Sequence, residues 1–569
     1  MEKKWVIKAP GNTEKIDKLA SELNISKTIA NLLVYRDITT YDEAKHFFRP
    51  SLNDLHDPFI MKGMSQAVNR LNTAIKNNEK ILVYGDYDVD GTTSVALVYS
   101  YLSKYHGDID YYVPDRYEEG YGISYKSIEH AKEKNQTLII ALDCGIKANE
   151  KIAYAKKIGI DYIICDHHLP GDEIPDAAAV LDPKQEDCNY PYKGLSGCGV
   201  GFKFMQAFSV VNNIAATEIY DLLDLVAVSI ASDIVPITGE NRVLAYYGLK
   251  KINTNATHGI RALRDVSGSL KTDVTISDIV FKIGPRINAA GRIDSARNAV
   301  DLLVTKNYTD AEILANKINS INTERQEIDH NITEEALNTI ASSKELISKK
   351  TSVLYNPKWS KGVIGIVASR LTETYYRPTI ILTKSDEGMI SGSARSVMGY
   401  NLYEAIDACS DLLEGFGGHM YAAGLTLKEE NLEKFTNCFE KYVSQTITDE
   451  QLVPQIVVDS IVDLDEIDEK FYRILNQFAP FGPDNMCPIF VSRDVKDTGY
   501  SKIVGKDETH LKVSIKQHKK SFNGIAFGMA NKYELIADKS PFDICYNIDE
   551  NIYMGRTSLQ LSVKDIKKD

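Results

Sequence analysis

The chain has 569 residues, 43% hydrophobic and 25% charged, with 66 basic against 79 acidic side chains and a net charge of −13. At roughly 150 residues per domain the length predicts about four domains, and the globular composition excludes collagen-like and disordered classes. The charge argues against a protein that coats nucleic acid by bulk attraction, but not against an enzyme that gathers acid at one centre and base along a channel.

The N-terminal MEKKWVIKAPGNTEK has no apolar core of a secretory signal, and no apolar run approaches the ~18 residues of a spanning helix. Residues 1 to 75 read as a helical lead-in, with Thr40 and Glu43 spaced as a capping box. From Lys80 short apolar strands alternate with helical stretches: KILVY (80–84), IDYYV (109–113), LIIAL (138–142), YIIC (162–165) and AAVL (178–181). This alternation predicts a mostly parallel sheet covered on both faces.

Residues 309–350 read as a long connecting helix, capped by Thr309 and Glu312, with Leu314, Ile318, Ile321, Ile328 and Ile332 as its apolar stripe. Asn319, Asn322 and Gln326 lie beside that stripe, as a solvated face or as the polar wall of a cleft. Residues 351–450 form a second α/β unit with three glycine-marked turns, KGVIG, SGSARS and GFGGH. After Val453, alternating runs such as ETHLKVSIKQHKKSF and SLQLSVKDIK signal a small β-barrel. The eight cysteines are scattered without a C-x-x-C pair, which disfavours a disulfide framework or structural zinc and points to a reducing cytoplasm.

The chemistry lies at the strand ends. KILVY runs into Asp86, Asp88 and Asp90, LIIAL into Asp143, and YIIC into Asp166, His167 and His168. Parallel sheets bind ligands at the carboxyl ends of their strands, so these side chains converge. Converging carboxylates repel unless protonated or counter-charged, and a divalent cation removes the conflict. Oxygen donors mixed with imidazole suit Mn²⁺ or Mg²⁺, and a pair of such ions can activate water and clamp a phosphoryl group. Taken singly, each acid could be a turn or helix-cap residue, and Asp182 before Pro183 is read as a turn residue.

YGDYDVDGTTS, LDCG, CDHH and SIASDIVP, in this order, resemble the motifs of the DHH phosphoesterase superfamily, and SGSARS and FGGHMYAAG resemble its associated DHHA1 domain. IGPRINAAGRI and the β-rich tail resemble the RecJ branch of single-strand-specific exonucleases. The resemblance runs from about Lys80 to the end. It implies a DHH catalytic domain with its lead-in over residues 1–308, the connecting helix over 309–350, a DHHA1 domain over 351–452 and an OB-fold barrel over 453–569.

It further implies that Asp86, Asp88, Asp90, Asp143, His167 and Asp233 hold two Mn²⁺ or Mg²⁺ ions, with Asp143 bridging. Asp90, Asp143 and His168 would be catalytic, His168 at the scissile phosphate. Arg116, Ser393 and Arg395 would hold a 5′-phosphate, and Arg286, Asn288 and His419 would line the substrate path. Tyr84 departs from the pattern: many superfamily members carry a metal-binding histidine there, which leaves open whether Tyr84 or Asp86 completes the first metal site.

The implied activity is 5′→3′ hydrolysis of single-stranded DNA to 5′-mononucleotides in recombination and repair. The enzyme would be a cytoplasmic monomer without membrane contact, working beside single-strand-binding protein and a helicase. Lys502, Lys506, Lys512, Lys516, Lys519 and Lys520, with His510, Phe522 and Phe527, fit a basic groove with stacking rings, or equally a lysine-protected barrel edge. The rival readings are a phosphodiesterase of cyclic dinucleotides or very short oligonucleotides, and a non-catalytic single-strand-binding scaffold.

Overall fold

The computed structural model describes residues 2–268, 273–293, 295–385, 388–553 and 556–568. Strand β1 (Lys4–Ile7) is followed by the helices Thr13–Leu23, Lys27–Val34 and Tyr41–Phe48, the last opened by the Thr40–Glu43 capping box. The first large sheet holds β2 (Lys80–Gly85), β3 (Ile109–Tyr112), β4 (Gln136–Leu142), β5 (Asp161–Cys165) and β6 (Ala179–Leu181). All its pairings are parallel, in the order β3-β2-β4-β5-β6. Its strands are near-continuous apolar runs because helices cover both faces. Val95 and Leu97 of helix Val89–Leu102 pack on one face, and Ile128 and Ile152 on the other. From β2 the chain crosses to β3 on one side, then returns to place β4 on the other. The crevice where loops diverge in this way is the expected ligand position.

The connecting helix runs from Tyr308 to Ala341, 34 residues, and Lys344–Ser348 is a separate short helix. Its cap is Asn307, whose side chain accepts from the Asp310 N–H, not the expected Thr309. A second sheet follows, with β7 (Ser352–Tyr355), β8 (Thr379–Lys384), β9 (Met389–Arg395), β10 (Gly415–His419) and β11 (Ala422–Lys428) in the order β10-β11-β9-β8-β7.

The C-terminal part contributes β12 (Gln455–Val458), β13 (Ser460–Ile461), β14 (Phe490–Asp497), β15 (Lys502–Val504), β16 (His510–Gln517), β17 (Lys520–Ala526), β18 (Phe542–Tyr553) and β19 (Arg556–Lys567). Pairings β14–β18–β19–β17–β16 and back to β14 close a five-stranded barrel, which leaves few exposed edges.

The N-terminal segment does not belong where the sequence reading put it. β1 pairs in parallel with β12, and Leu19, Ile29, Leu32 and Leu33 share one core with Phe471, Phe478 and Phe490 of the barrel region. The helical periodicity is right; its apolar face simply finds its partner at the opposite end of the chain. Arg242 joins this unit to the first α/β domain. Its guanidinium donates to the carbonyls of Phe47, Gln477, Phe478 and Ala479 at 2.8–3.1 Å and stacks 3.8 Å from the Phe47 ring. Among the described residues no helix is long and apolar enough to cross a membrane.

Candidate active site

The acids converge by backbone geometry. Gly85 and Gly91 let the chain fold sharply off β2: a Cβ on Gly91 would lie 2.2 Å from the Asp86 carbonyl oxygen. Asp88 then caps helix Val89–Leu102, its Oδ1 accepting from the Gly91 N–H at 3.0 Å. Asp90, in the first turn of that helix, is held rigidly. Its Oδ2 accepts from the Gly197 N–H at 2.6 Å, and its Oδ1 from the Cys198 N–H at 2.8 Å and the Ser229 hydroxyl at 2.7 Å. Asp143 ends β4 with φ of 60°, a left-handed turn that swings its carboxylate over the strand ends.

His167 is the hub. Its Nε2 lies 3.0 Å from Asp143 Oδ1, 3.6 Å from Asp233 Oδ2 and 3.7 Å from Asp90 Oδ2. Yet Asp143 Oδ1 and both His167 ring nitrogens are buried without a hydrogen-bond partner. Two sets of donors gather within 4.8 Å: Asp143, His167 and His168, and Asp90, His167 and Asp233. Asp86 and Asp88 stand outside both sets. The Tyr84 hydroxyl is already engaged away from both sets. Tyr84 is fully buried on the other face of β2, donates to the Gly122 carbonyl at 2.7 Å and stacks on Tyr112.

Electrostatics agrees. Burial, then the Asp88 charge, pushes Asp86 up to about 7; burial, then Asp90 and Asp88, pushes Asp233 up to about 8. Asp143 is raised well above the carboxylate range by burial and then by Asp90. Burial lowers the His167 imidazole, keeping it neutral as a ligand must be. Orphaned oxygen and nitrogen donors, with acids that resist ionisation side by side, fit a divalent cation.

Asp166, read from sequence as an acid of the cluster, serves instead as a clamp. It accepts from the N–H groups of Ile146 and His167 and pairs with His168 Nδ1 at 2.8 Å. Burial is the largest influence on each, raising Asp166 and lowering His168, but their mutual contact, with the Ile146 and His168 N–H groups for Asp166 and the Asp233 and Asp90 charges for His168, reverses both. Tyr121, not foreseen, places its hydroxyl 3.1 Å from His168 Nε2. Asp182 is a turn residue, accepting from the Lys184 N–H at 2.7 Å.

A second feature lies between the two α/β domains. Arg116 sits 4.9 Å over the ring of Tyr87, between Asp86 and Asp88 in sequence. Arg292 is held down to about 10 by burial and by the charges of Arg116, Arg325 and Arg395. Arg286 donates from Nε to Asn319 at 2.9 Å and feels Arg325. Arg325 donates to the buried Asn322 at 3.1 Å, so Asn319 and Asn322 form a polar wall while Gln326 is exposed. Arg395 Nη1 donates to Ser393 at 3.1 Å. Among the described residues none of these five guanidinium groups pairs with a carboxylate; Asp329, whose charge reaches Arg325, is taken by Arg370 at 2.7 Å. Glycines let the elements meet: Gly362 abuts Tyr117 and the Arg292 carbonyl, and Gly365 abuts Ser393 and Arg395. Arg292 and Arg325 escaped the sequence reading because their role appears only across the interface. Asn288 is half-buried, and His419 is exposed at the end of β10.

On the barrel, Lys502 pairs with Lys512 and Lys496 with Lys516 across neighbouring strands, all exposed. Phe522 points into the barrel core, so it is not a stacking ring; Phe527 and Tyr500 are exposed.

A parallel sheet with Asp-His-His at its ligand edge, followed by a second α/β domain, defines the DHH class. Residues 80–230 match the DHH family, N-terminal domain; 347–445 the DHHA1 domain; and 458–565 the RecJ OB domain. The single-stranded-DNA-specific exonuclease RecJ of Bacillus subtilis is 36% identical over 564 residues, covering 99% of this chain and 70% of that protein. Its Escherichia coli counterpart is 34% identical over 530 residues, 89% of this chain and 90% of that protein. The crystal structure of RecJ in complex with Mn²⁺ from Thermus thermophilus superposes with a TM-score of 0.84 at 25% identity, covering all of this chain and 80% of that one. The chain belongs to the RecJ family.

Proposed function

We propose that the chain is a metal-dependent exonuclease that hydrolyses single-stranded DNA 5′→3′ to 5′-mononucleotides in recombination and repair. The carrying observation is the pairing of two donor sets that share His167 with an arginine cluster that, among the described residues, makes no ion pair with a carboxylate. An arginine cluster whose forks are not taken up by carboxylates suits a dianionic terminal phosphate, because the planar fork donates paired hydrogen bonds to two oxygens.

In this reading Asp90, Asp143, His167 and Asp233 hold the ions, with His168 and Asp86 at their margins. Bound Mn²⁺ or Mg²⁺ supplies water activation and neutralises charge on the scissile phosphate. The chain's own groups supply positioning. Asp90 is fixed by the start of helix Gly197–Val211 and by Ser229. Asp166 fixes the His168 ring and favours its protonated form, so His168 can donate to a phosphate oxygen. Ser393 and Arg395, with Arg116 and Arg292, receive the 5′-phosphate, and Arg286, Asn288 and His419 line the way in. The barrel's lysine face holds the strand beyond. The protein works in the cytoplasm as a monomer, with single-strand-binding protein and a helicase as partners.

The test is a digestion time course on a 5′-labelled single strand beside its duplex, with Mn²⁺, Mg²⁺ or EDTA. Labelled mononucleotide should leave the single strand first and only with metal. Binding without release, or preference for a dinucleotide, would overturn the reading. Arg395→Ala should slow 5′-phosphorylated strands more than 5′-hydroxyl ones; equal losses would remove the terminal-phosphate role.

A further inference from the structure

Ile234 directly follows Asp233 and has φ of 58°. Its position, just past the end of helix Leu223–Ser232, is where glycine is the default because it has no Cβ to clash. A β-branched residue is the least comfortable occupant of left-handed backbone. Ile234 is the only β-branched residue at positive φ among the described residues; most others are Asn or Asp. Burial does not compensate, since its side chain is 65% exposed. Local strain with no packing in return points to a ligand.

Leu169 matches it. It directly follows His168, is 70% exposed, and is the only exposed leucine among the described residues. The two loops meet through the donor cluster, with His167 Nε2 3.6 Å from Asp233 Oδ2. Two exposed aliphatic side chains therefore each directly follow, in the chain, a residue of the same charged centre.

We infer that Ile234 and Leu169 grip the nucleobase of the terminal nucleotide while its phosphodiester lies at the metal site. This rests on the exonuclease reading above. An enzyme that removes any nucleotide needs a hold on the base that does not read its hydrogen-bonding edge. Apolar contact with the base face gives that hold, for purine and pyrimidine alike. It also accounts for the choice of isoleucine over glycine at a strained position. The branched side chain supplies surface close to the reacting phosphate, where glycine has none.

The experiment crosses enzyme and substrate variants. Wild type, Ile234→Asn, Ile234→Gly and Leu169→Ser are assayed with Mn²⁺ on a 5′-phosphorylated single strand. One substrate carries a normal 5′-terminal nucleotide, the other a tetrahydrofuran abasic residue there. Asparagine and glycine both tolerate the left-handed backbone, so each Ile234 variant should melt at or above the wild-type temperature. On the normal strand each variant should lose about tenfold in kcat/KM, the scale of one lost aliphatic contact. On the abasic strand wild type should already be slow, and the variants should add less than twofold. The two losses are then non-additive because they remove the same contact. Equal fold losses on both strands would assign the side chains to sugar or backbone and overturn the inference. Undiminished activity on the normal strand would overturn it too. A wild type that releases nucleotide from neither strand would instead remove the exonuclease reading, and the inference with it.

Discussion

Gly197→Ala removes no functional group, yet it should disable the site. A Cβ at position 197 would lie 2.6 Å from Asp143 Cβ, 2.8 Å from Asp143 Oδ1 and 2.9 Å from Asp143 Cα. Non-bonded carbons prefer about 3.5 Å or more, so Asp143 and the start of helix Gly197–Val211 must separate by about 1 Å. Neither can yield alone. Asp143 is tied by its N–H to the Cys165 carbonyl, and the Gly197 N–H holds Asp90 at 2.6 Å. A displacement of about 1 Å at a reacting centre costs on the order of a hundredfold in rate. Stability should change less. Overpacking costs about 1–3 kcal/mol, and replacing a helical glycine returns up to about 1 kcal/mol. The assay is kcat on a 5′-phosphorylated single strand at saturating Mn²⁺, with thermal midpoints and a Mn²⁺ titration alongside. A folded variant that keeps kcat within threefold of wild type would falsify the claim that the Gly197 contact sets the position of Asp143.

Asp143→Asn should abolish nucleotide release while raising the thermal midpoint in EDTA, because it deletes one of the mutually repelling carboxylates; a lower midpoint would speak against their convergence. The metal-free protein should also lose stability with rising pH. Asp86 keeps its proton up to about pH 7 in the folded state, but the unfolded chain releases it near 3.8. Stability is therefore full below about pH 4 and falls as pH climbs through 7, by on the order of 4 kcal/mol from this group. Melting in EDTA at pH 4 and pH 8 measures it, and Mn²⁺ should flatten the difference; equal midpoints without metal would refute the raised Asp86 carboxyl. Arg242→Met should loosen the barrel unit from the first α/β domain, since it deletes charged donors to four carbonyls at a cost of about 3 kcal/mol. Limited proteolysis should then cut between the two units sooner than in wild type.

The sheet and its ligand edge were legible from local pattern. Apolar runs of four or five residues ending in Asp86, Asp143 and Asp166 announce parallel strands and the acids that close them, since strand periodicity and turn chemistry act over a few residues. The barrel and the long helix were legible for the same reason. Three features were not. The N-terminal helices show an apolar face, but periodicity does not say which partner covers it, and the barrel does. Phe522 and Phe527 look alike as rings in a basic tail, but register sends one inward and leaves the other exposed. Arg292 and Arg325 are ordinary arginines until the fold brings them among Arg116 and Arg395, where among the described residues none of them makes an ion pair with a carboxylate. Local sequence thus determined the elements and the residues at their ends. Only tertiary structure decided which side chains share a site, because burial, repulsion and orphaned donors belong to neighbours distant in the chain.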